Sequence, residues 1–168
     1  WIIYGSKNVI SKFWKNWRFN MRIISGKYKG YLIETINDSS TRPMMSKARE
    51  GIFNTLQNEF NNSTVLDLYA GSGSLGIESL SRGADFVTFI ELSTKCSKII
   101  NKNLQNMEEN FTVLKTRVNE YINQSHEKFD IIFYDPPFST SNGEIDNELI
   151  IVQDLMNINS KLVVHRHK

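Results

Sequence analysis

Asp135-Pro136-Pro137-Phe138 is the densest chemistry in this sequence. Two consecutive prolines remove two backbone donors and stiffen the chain. Their carbonyls remain as acceptors. Asp135 adds a carboxylate acceptor and Phe138 a flat apolar face. Such a loop suits the two hydrogens of an exocyclic amine on a planar base that stacks against the ring. Pro-Pro alone would also serve as a rigid turn. The leading acid favours the amine site. So does the preceding segment Phe129–Tyr134, which is nearly all apolar, as a strand covered on both faces should be.

The second candidate is Val65-Leu66-Asp67-Leu68-Tyr69-Ala70-Gly71-Ser72-Gly73-Ser74-Leu75-Gly76. A short apolar strand runs into glycines and then a helix start, whose unpaired N–H groups can face a ligand. Ala70, Gly71, Ser72 and Gly73 are the loop expected to hold a nucleoside cofactor. Glu91, at the end of the next strand, is placed to take the two hydroxyls of its ribose. Asp67 decides between cofactors. An acid beside a dinucleotide's pyrophosphate would be repelled, whereas an acid beside a cation is favoured. S-adenosylmethionine carries an ammonium and a sulfonium and no phosphate, so Asp67 points to it and away from NAD.

Alternating strands and helices must position these residues. The pattern predicts strands over Thr64–Leu68, Phe86–Ile90, Phe111–Leu114, Phe129–Tyr134 and Lys161–Val164. It predicts helices over Ser74–Arg82, Thr94–Glu108, Val118–Gln124 and Asp146–Met156. Such an order implies an α/β fold with a mostly parallel sheet and helices on both faces. Ligands are then expected outside the carboxyl ends of the strands. Upstream, Arg22–Ser25 and Tyr31–Ile36 flank a Gly26–Gly30 turn and read as a β-hairpin. Ser46 opens a helix carrying Ala48, Ile52, Phe53, Leu56 and Phe60 on one face.

The 168 residues carry 20 basic and 18 acidic side chains, a net charge of +2. The charge is unevenly spread: +4 over residues 1–20, +3 over 21–50 and −5 over 51–168. The basic stretch suits RNA, gripped chiefly by Arg22, Lys27, Lys29, Arg42, Lys47 and Arg49. One cysteine, Cys96, excludes an internal disulfide and fits a reducing compartment. No apolar run reaches the ~18 residues of a membrane span. No metal site is expected, since His165 and His167 lack a third ligand and read, like His126, as solvated. Ile10, Phe13, Trp14 and Trp17 recur at helical spacing in residues 1–20, an extension whose role is open. Residues 21–60 read as a basic hairpin and helix, and 61–168 as the cofactor-binding catalytic part of the same structural domain.

On these motifs the chain resembles the Rossmann-like S-adenosylmethionine methyltransferases, whose amino-group members carry an (Asp/Asn/Ser)-Pro-Pro-(aromatic) motif. Within them it is similar to the RsmD-type bacterial 16S rRNA guanine-N2 methyltransferases. Met21 through Gly30 is like that family's opening hairpin. Thr41-Arg42-Pro43 with Arg49-Glu50 is like its basic loop and helix. Leu80-Ser81-Arg82-Gly83-Ala84 follows the glycine motif as it does there. The resemblance spans about residues 21–166.

The resemblance implies methylation of a guanine N2 amine in 16S rRNA or the assembling small subunit, by a cytoplasmic monomer without membrane contact. Asp135, Pro136, Pro137 and Phe138 would be the catalytic residues. Met44, Ser46-Lys47 and Arg117 depart from the family pattern. The family's final antiparallel hairpin is not expected within the residues up to Lys168. Two other functions fit the same residues: a DNA adenine-N6 or other amino-methyltransferase, and a truncated, inactive RNA-binding relative.

Overall fold

The computed structural model describes residues 20–35 and 46–165. The hairpin forms as β1 (Asn20–Arg22) and β2 (Leu32–Glu34), antiparallel with Met21 opposite Ile33. The first strand lies earlier than the expected Arg22–Ser25 and shares only Arg22 with it, because Ile24 and Ser25 give their N–H groups to Glu78 on the main domain rather than to a strand partner. Helix α1 (Ser46–Thr55) stops before Phe60. Asn54 and Thr55, weak helix formers, end it. Phe53 and Phe60 are both fully buried, with ring centroids 5.2 Å apart.

The main sheet holds β3 (Thr64–Leu68), β4 (Phe86–Ile90), β5 (Asn110–Leu114), β6 (Phe129–Tyr134) and β7 (Met156–Val164). All pairings are parallel and the spatial order is β5-β4-β3-β6-β7. Between the strands run α2 (Ser74–Ser81), α3 (Thr94–Leu104), α4 (Val118–Gln124) and α5 (Asn142–Val152). Strand alternation sends Val65, Ile131 and Phe133 into one core with Ile77, Leu80 and Ile100. Leu66, Leu68, Ile132 and Tyr134 enter the other, with Val118, Ile122 and Ile145. The expected two-sided α/β layering is therefore what forms.

Several boundaries differ from the pattern, the helix expected over Asp146–Met156 among them, which ends at Val152. Helix α3 ends at Leu104, ahead of a polar Gln-Asn pair. Helix α5 starts four residues early because Ser141 and Glu144 form a reciprocal capping box. Strand β7 starts at Met156 and bulges near Asn159, whose φ is 67°, before regaining register at Lys161 opposite Ile131. Among the described residues no helix is long and apolar enough to cross a membrane.

The chain leaves β5 and re-enters the sheet on the far side of β3, so the helices that follow β3 and β6 pack on opposite faces of the sheet. That switch point is where an open parallel sheet offers a crevice.

Close packing of α2 on the sheet rests on Gly76, where a Cβ would fall 2.2 Å from Phe89 Cε1 and 2.8 Å from Val87 Cγ1. Gly76→Ala is expected to cost about 1–3 kcal/mol in denaturant unfolding through overpacking. Gly51→Ala, on α1 with open space around the new methyl, is expected to add roughly 0.5–1 kcal/mol. Equal effects of the two would contradict the packing described.

Candidate active site

A cavity of about 910 Å³ opens over the carboxyl ends of β3, β4, β5 and β6. Both sequence-predicted loops reach it. Asp67, Ala70, Gly71, Ser72 and Glu91 line one part, and Asp135, Pro136, Pro137 and Phe138 another. Gly73 lies beneath the loop as the residue before α2, with φ 78°. There a Cβ would press on Ile77 and Ile100 at 3.2 Å. Tyr69 also takes a positive φ, 61°, unusual for a bulky residue, and so turns the chain off β3.

Glu91 is held before any ligand arrives. Its Oε2 accepts from Gly71 N–H at 2.8 Å and its Oε1 from Ser93 N–H at 2.7 Å. Each oxygen keeps a further lone pair for a hydroxyl. Asp67, only 1% exposed, accepts from Gly76 N–H at 2.9 Å and so caps the first turn of α2. Burial pushes its carboxyl up to about 8, with the Asp135 and Glu91 charges adding and the Gly76 N–H opposing. Among the described residues six acidic side chains line the cavity (Asp67, Glu91, Glu120, Asp135, Glu144 and Glu148) against two basic ones, Lys95 and Arg117. Arg117 pairs loosely with Glu120 at 3.8 Å. The field favours a cation.

Two site residues are missed by sequence reasoning. Glu148 on α5 is 5% exposed and accepts from Tyr69 Oη at 2.8 Å and Tyr134 Oη at 2.7 Å. Burial and this carboxylate hold both phenols well above their usual range, so both remain donors. One acid thereby ties the residue that turns off β3 to the residue before Asp135. Its signal is spacing: Ile145, Glu148 and Val152 fall on one helical stripe. The second is His165, read from the sequence as solvated. Its Nδ1 lies 2.8 Å from Asp135 Oδ1.

The basic residues divide. Arg49 is 3% exposed and its Nη2 donates to Arg22 O at 2.7 Å, while Nε and Nη1 have no hydrogen-bond partner among the described residues. It is an internal brace of the hairpin, which corrects its reading as a surface RNA contact. Helix α1 turns it inward, on the same side as Phe53. Arg22 donates to Gly30 O at 3.0 Å and Lys27 pairs with Glu109 and Glu108 at 2.8 and 3.2 Å. Lys29 and Lys47 are exposed. Arg42 lies outside the described residues, as does the helical spacing in residues 1–19.

A glycine loop after the first strand of a parallel sheet, an acid at the end of the second and an Asp-Pro-Pro-Phe loop after the fourth define a Rossmann-like methyltransferase. The family described as "Conserved hypothetical protein 95" matches residues 21–168, and the chain belongs to that family. The chain is 33% identical over 158 residues to the ribosomal RNA small subunit methyltransferase D of Haemophilus influenzae. That match covers 91% of this chain and 82% of the relative. The Escherichia coli protein of the same name is 32% identical over 135 residues, covering 80% of this chain and 67% of the relative. Among solved structures, the one described as "Putative methyltransferase yhhF from Escherichia coli" is 31% identical with a TM-score of 0.72. It covers 82% of this chain and 76% of that one. A hypothetical protein of Thermus thermophilus shares the fold at a TM-score of 0.76 and 23% identity, over 86% and 84% of the two chains.

Proposed function

We propose that the chain transfers the methyl group of S-adenosylmethionine to the exocyclic N2 amine of a guanine in small-subunit (16S) rRNA. The observation that carries this is a single cavity, rich in carboxylates, that both the glycine loop and the Asp135-Pro136-Pro137-Phe138 loop enter. The names of the relatives support the rRNA substrate.

The residues present fit the cofactor. Asp67 supplies a buried carboxylate for its positive charge, the Ala70–Gly73 loop close backbone approach, and Glu91 acceptors for the ribose. When bound, S-adenosylmethionine supplies an electrophilic methyl on a sulfonium. Asp135 and the Pro136 carbonyl accept the two amine hydrogens, which turns the nitrogen lone pair out of the base plane. Phe138, exposed at the rim, offers a face for the extruded base. Asp135 takes the proton that the amine loses once the new bond has formed. The acceleration comes from positioning and electrostatics, with no covalent intermediate on the protein. Lys29 and Lys47, both exposed, are the described side chains for phosphates, with Arg22 and Lys27 beside them; Arg42 is assigned the same role from the sequence. The test is methylation of 16S rRNA with identification of the product nucleoside.

Asp67 gives this function a pH signature. With its carboxyl raised to about 8, the cavity holds a proton near neutrality that a cationic cofactor must displace. Affinity for S-adenosylmethionine is expected to rise roughly tenfold or more from pH 6 to pH 8, then flatten. Titration calorimetry on the unaltered chain and Asp67→Asn checks this. The cofactor's own ammonium titrates alike in both, so the ratio of affinities isolates Asp67. A ratio independent of pH would contradict the assignment. For stability the sign is opposite. The folded state keeps a proton that the unfolded carboxyl releases near 3.8, so Asp67's contribution declines as pH rises from there to about 8.

A further inference from the structure

We infer that His165 is the positioning residue for Asp135, holding the carboxylate in one orientation through an Nδ1–H donor so that its other oxygen is presented to the amine. This rests on the proposed role of Asp135 as amine acceptor.

Register brings the two together. Strands β6 and β7 pair in parallel with Tyr134 opposite Val164, so the next residues of each, Asp135 and His165, are neighbours where the strands end. The backbone continues the pairing, with His165 N–H donating to Tyr134 O at 3.0 Å. This fixes the imidazole's base relative to Asp135 before any side-chain contact is counted. Nδ1 and Oδ1 then meet at 2.8 Å, with the side chains 20% and 28% exposed. The contact is sheltered but reachable from the cavity that Asp135 lines.

A partner is needed because the terminal torsion of an aspartate is broad and roughly two-fold. Pro136 and Pro137 stiffen the chain after Asp135 but leave that torsion untouched. A carboxylate has no proton to give, so the imidazole must donate, which selects the tautomer protonated at Nδ1. With the imidazole holding Oδ1, the carboxylate plane is set and Oδ2, the oxygen clear of that contact, is the one presented to substrate. A displacement of about 1 Å at such a group can cost about 10²-fold in rate.

The substitutions follow from where the donor sits. The amide nitrogen of Asn stands the same number of bonds from Cα as Nδ1, whereas that of Gln stands one bond further. His165→Ala and His165→Gln are expected to lower kcat about 10- to 100-fold, with cofactor affinity within about twofold of the unaltered chain. His165→Asn is expected to recover most of the loss. A strand-end residue needed only for folding would not show this split between Asn and Gln.

A second readout needs neither cofactor nor turnover. Imidazole ¹⁵N NMR of the unliganded chain should show His165 protonated at Nδ1, reverting in Asp135→Ala to the Nε2–H form that free imidazole side chains prefer. An Nε2–H tautomer unaffected by Asp135→Ala overturns the inference, as does an unchanged kcat in His165→Ala. Failure of the unaltered chain to methylate guanine would instead count against the functional proposal, and the tautomer would still judge the pairing.

Discussion

Asp135→Ala is expected to bind S-adenosylmethionine with near-normal affinity and to transfer methyl groups at least about 10²–10³-fold more slowly, the scale of losing one preorganised polar group at a reacting centre. The substitution removes the partner of His165 and, in the proposed function, the acceptor that orients the amine and the destination of its proton. Cofactor binding survives because Asp67 and Glu91 are held by their own backbone donors, Gly76, Gly71 and Ser93. One effect works in its favour: the Asp135 charge helps raise Asp67, so its removal eases ionisation of the carboxylate that faces the cofactor. Calorimetry for binding and single-turnover methylation for chemistry separate the two terms. A parallel fall in both would show that Asp135 belongs to the cofactor site, and unchanged turnover would remove it from the chemistry.

Glu78→Ala is expected to be the most damaging substitution for stability. This acid is fully buried on α2. Its two oxygens accept from Ile24 N–H at 2.7 Å, Ser25 N–H at 3.0 Å and Arg82 Nε at 2.9 Å. Arg82 in turn lies 4.8 Å over the Phe53 ring. Without the carboxylate, two amides and a guanidinium that is 11% exposed are left facing each other inside the protein. Breaking a buried pair in this way costs about 3–5 kcal/mol, or roughly 6–20 °C of Tm for a domain of this size.

The neighbouring contacts set where the damage falls. Lys27 N–H donates to Ser81 O at 2.7 Å and Ser81 Oγ donates to Ser25 O at 2.6 Å. Gly26, with φ 85°, passes so close that a Cβ would lie 1.7 Å from Ser81 O. The hairpin is thus seated on α2 by a polar latch, and amide exchange at Ile24 and Ser25 should accelerate first in the variant. A Tm within about 2 °C of the unaltered chain would contradict this account of the docking.

The candidate site is legible in the sequence because the residues that line its cavity are locally specified. Asp67, the Ala70–Gly73 loop and Asp135 to Phe138 each sit in or directly after an apolar strand, and a parallel sheet delivers strand ends to one crevice. The strand and helix types are legible for the same reason, through runs such as Phe129–Tyr134. What escapes is whatever depends on register or on the partner of a polar group. His165 looks solvated until Val164 is placed opposite Tyr134. Arg49 looks like a phosphate contact until α1 turns it toward the Arg22 carbonyl. Glu78 and Glu148 are acids within helices, and only the backbone, guanidinium and phenol donors that converge on them account for their burial. Charge counting over residues 21–50 therefore overstates the surface available to RNA, since at least one of its six basic residues points inward.

The most direct measurement is nucleoside mass spectrometry after incubating the chain and S-adenosylmethionine with small-subunit particles, naked 16S rRNA and duplex DNA in parallel. The expected product is N2-methylguanosine from a small-subunit RNA sample, absent with Asp135→Ala. N6-methyladenine from the DNA, with no methylated guanine in either RNA sample, would contradict the proposed function.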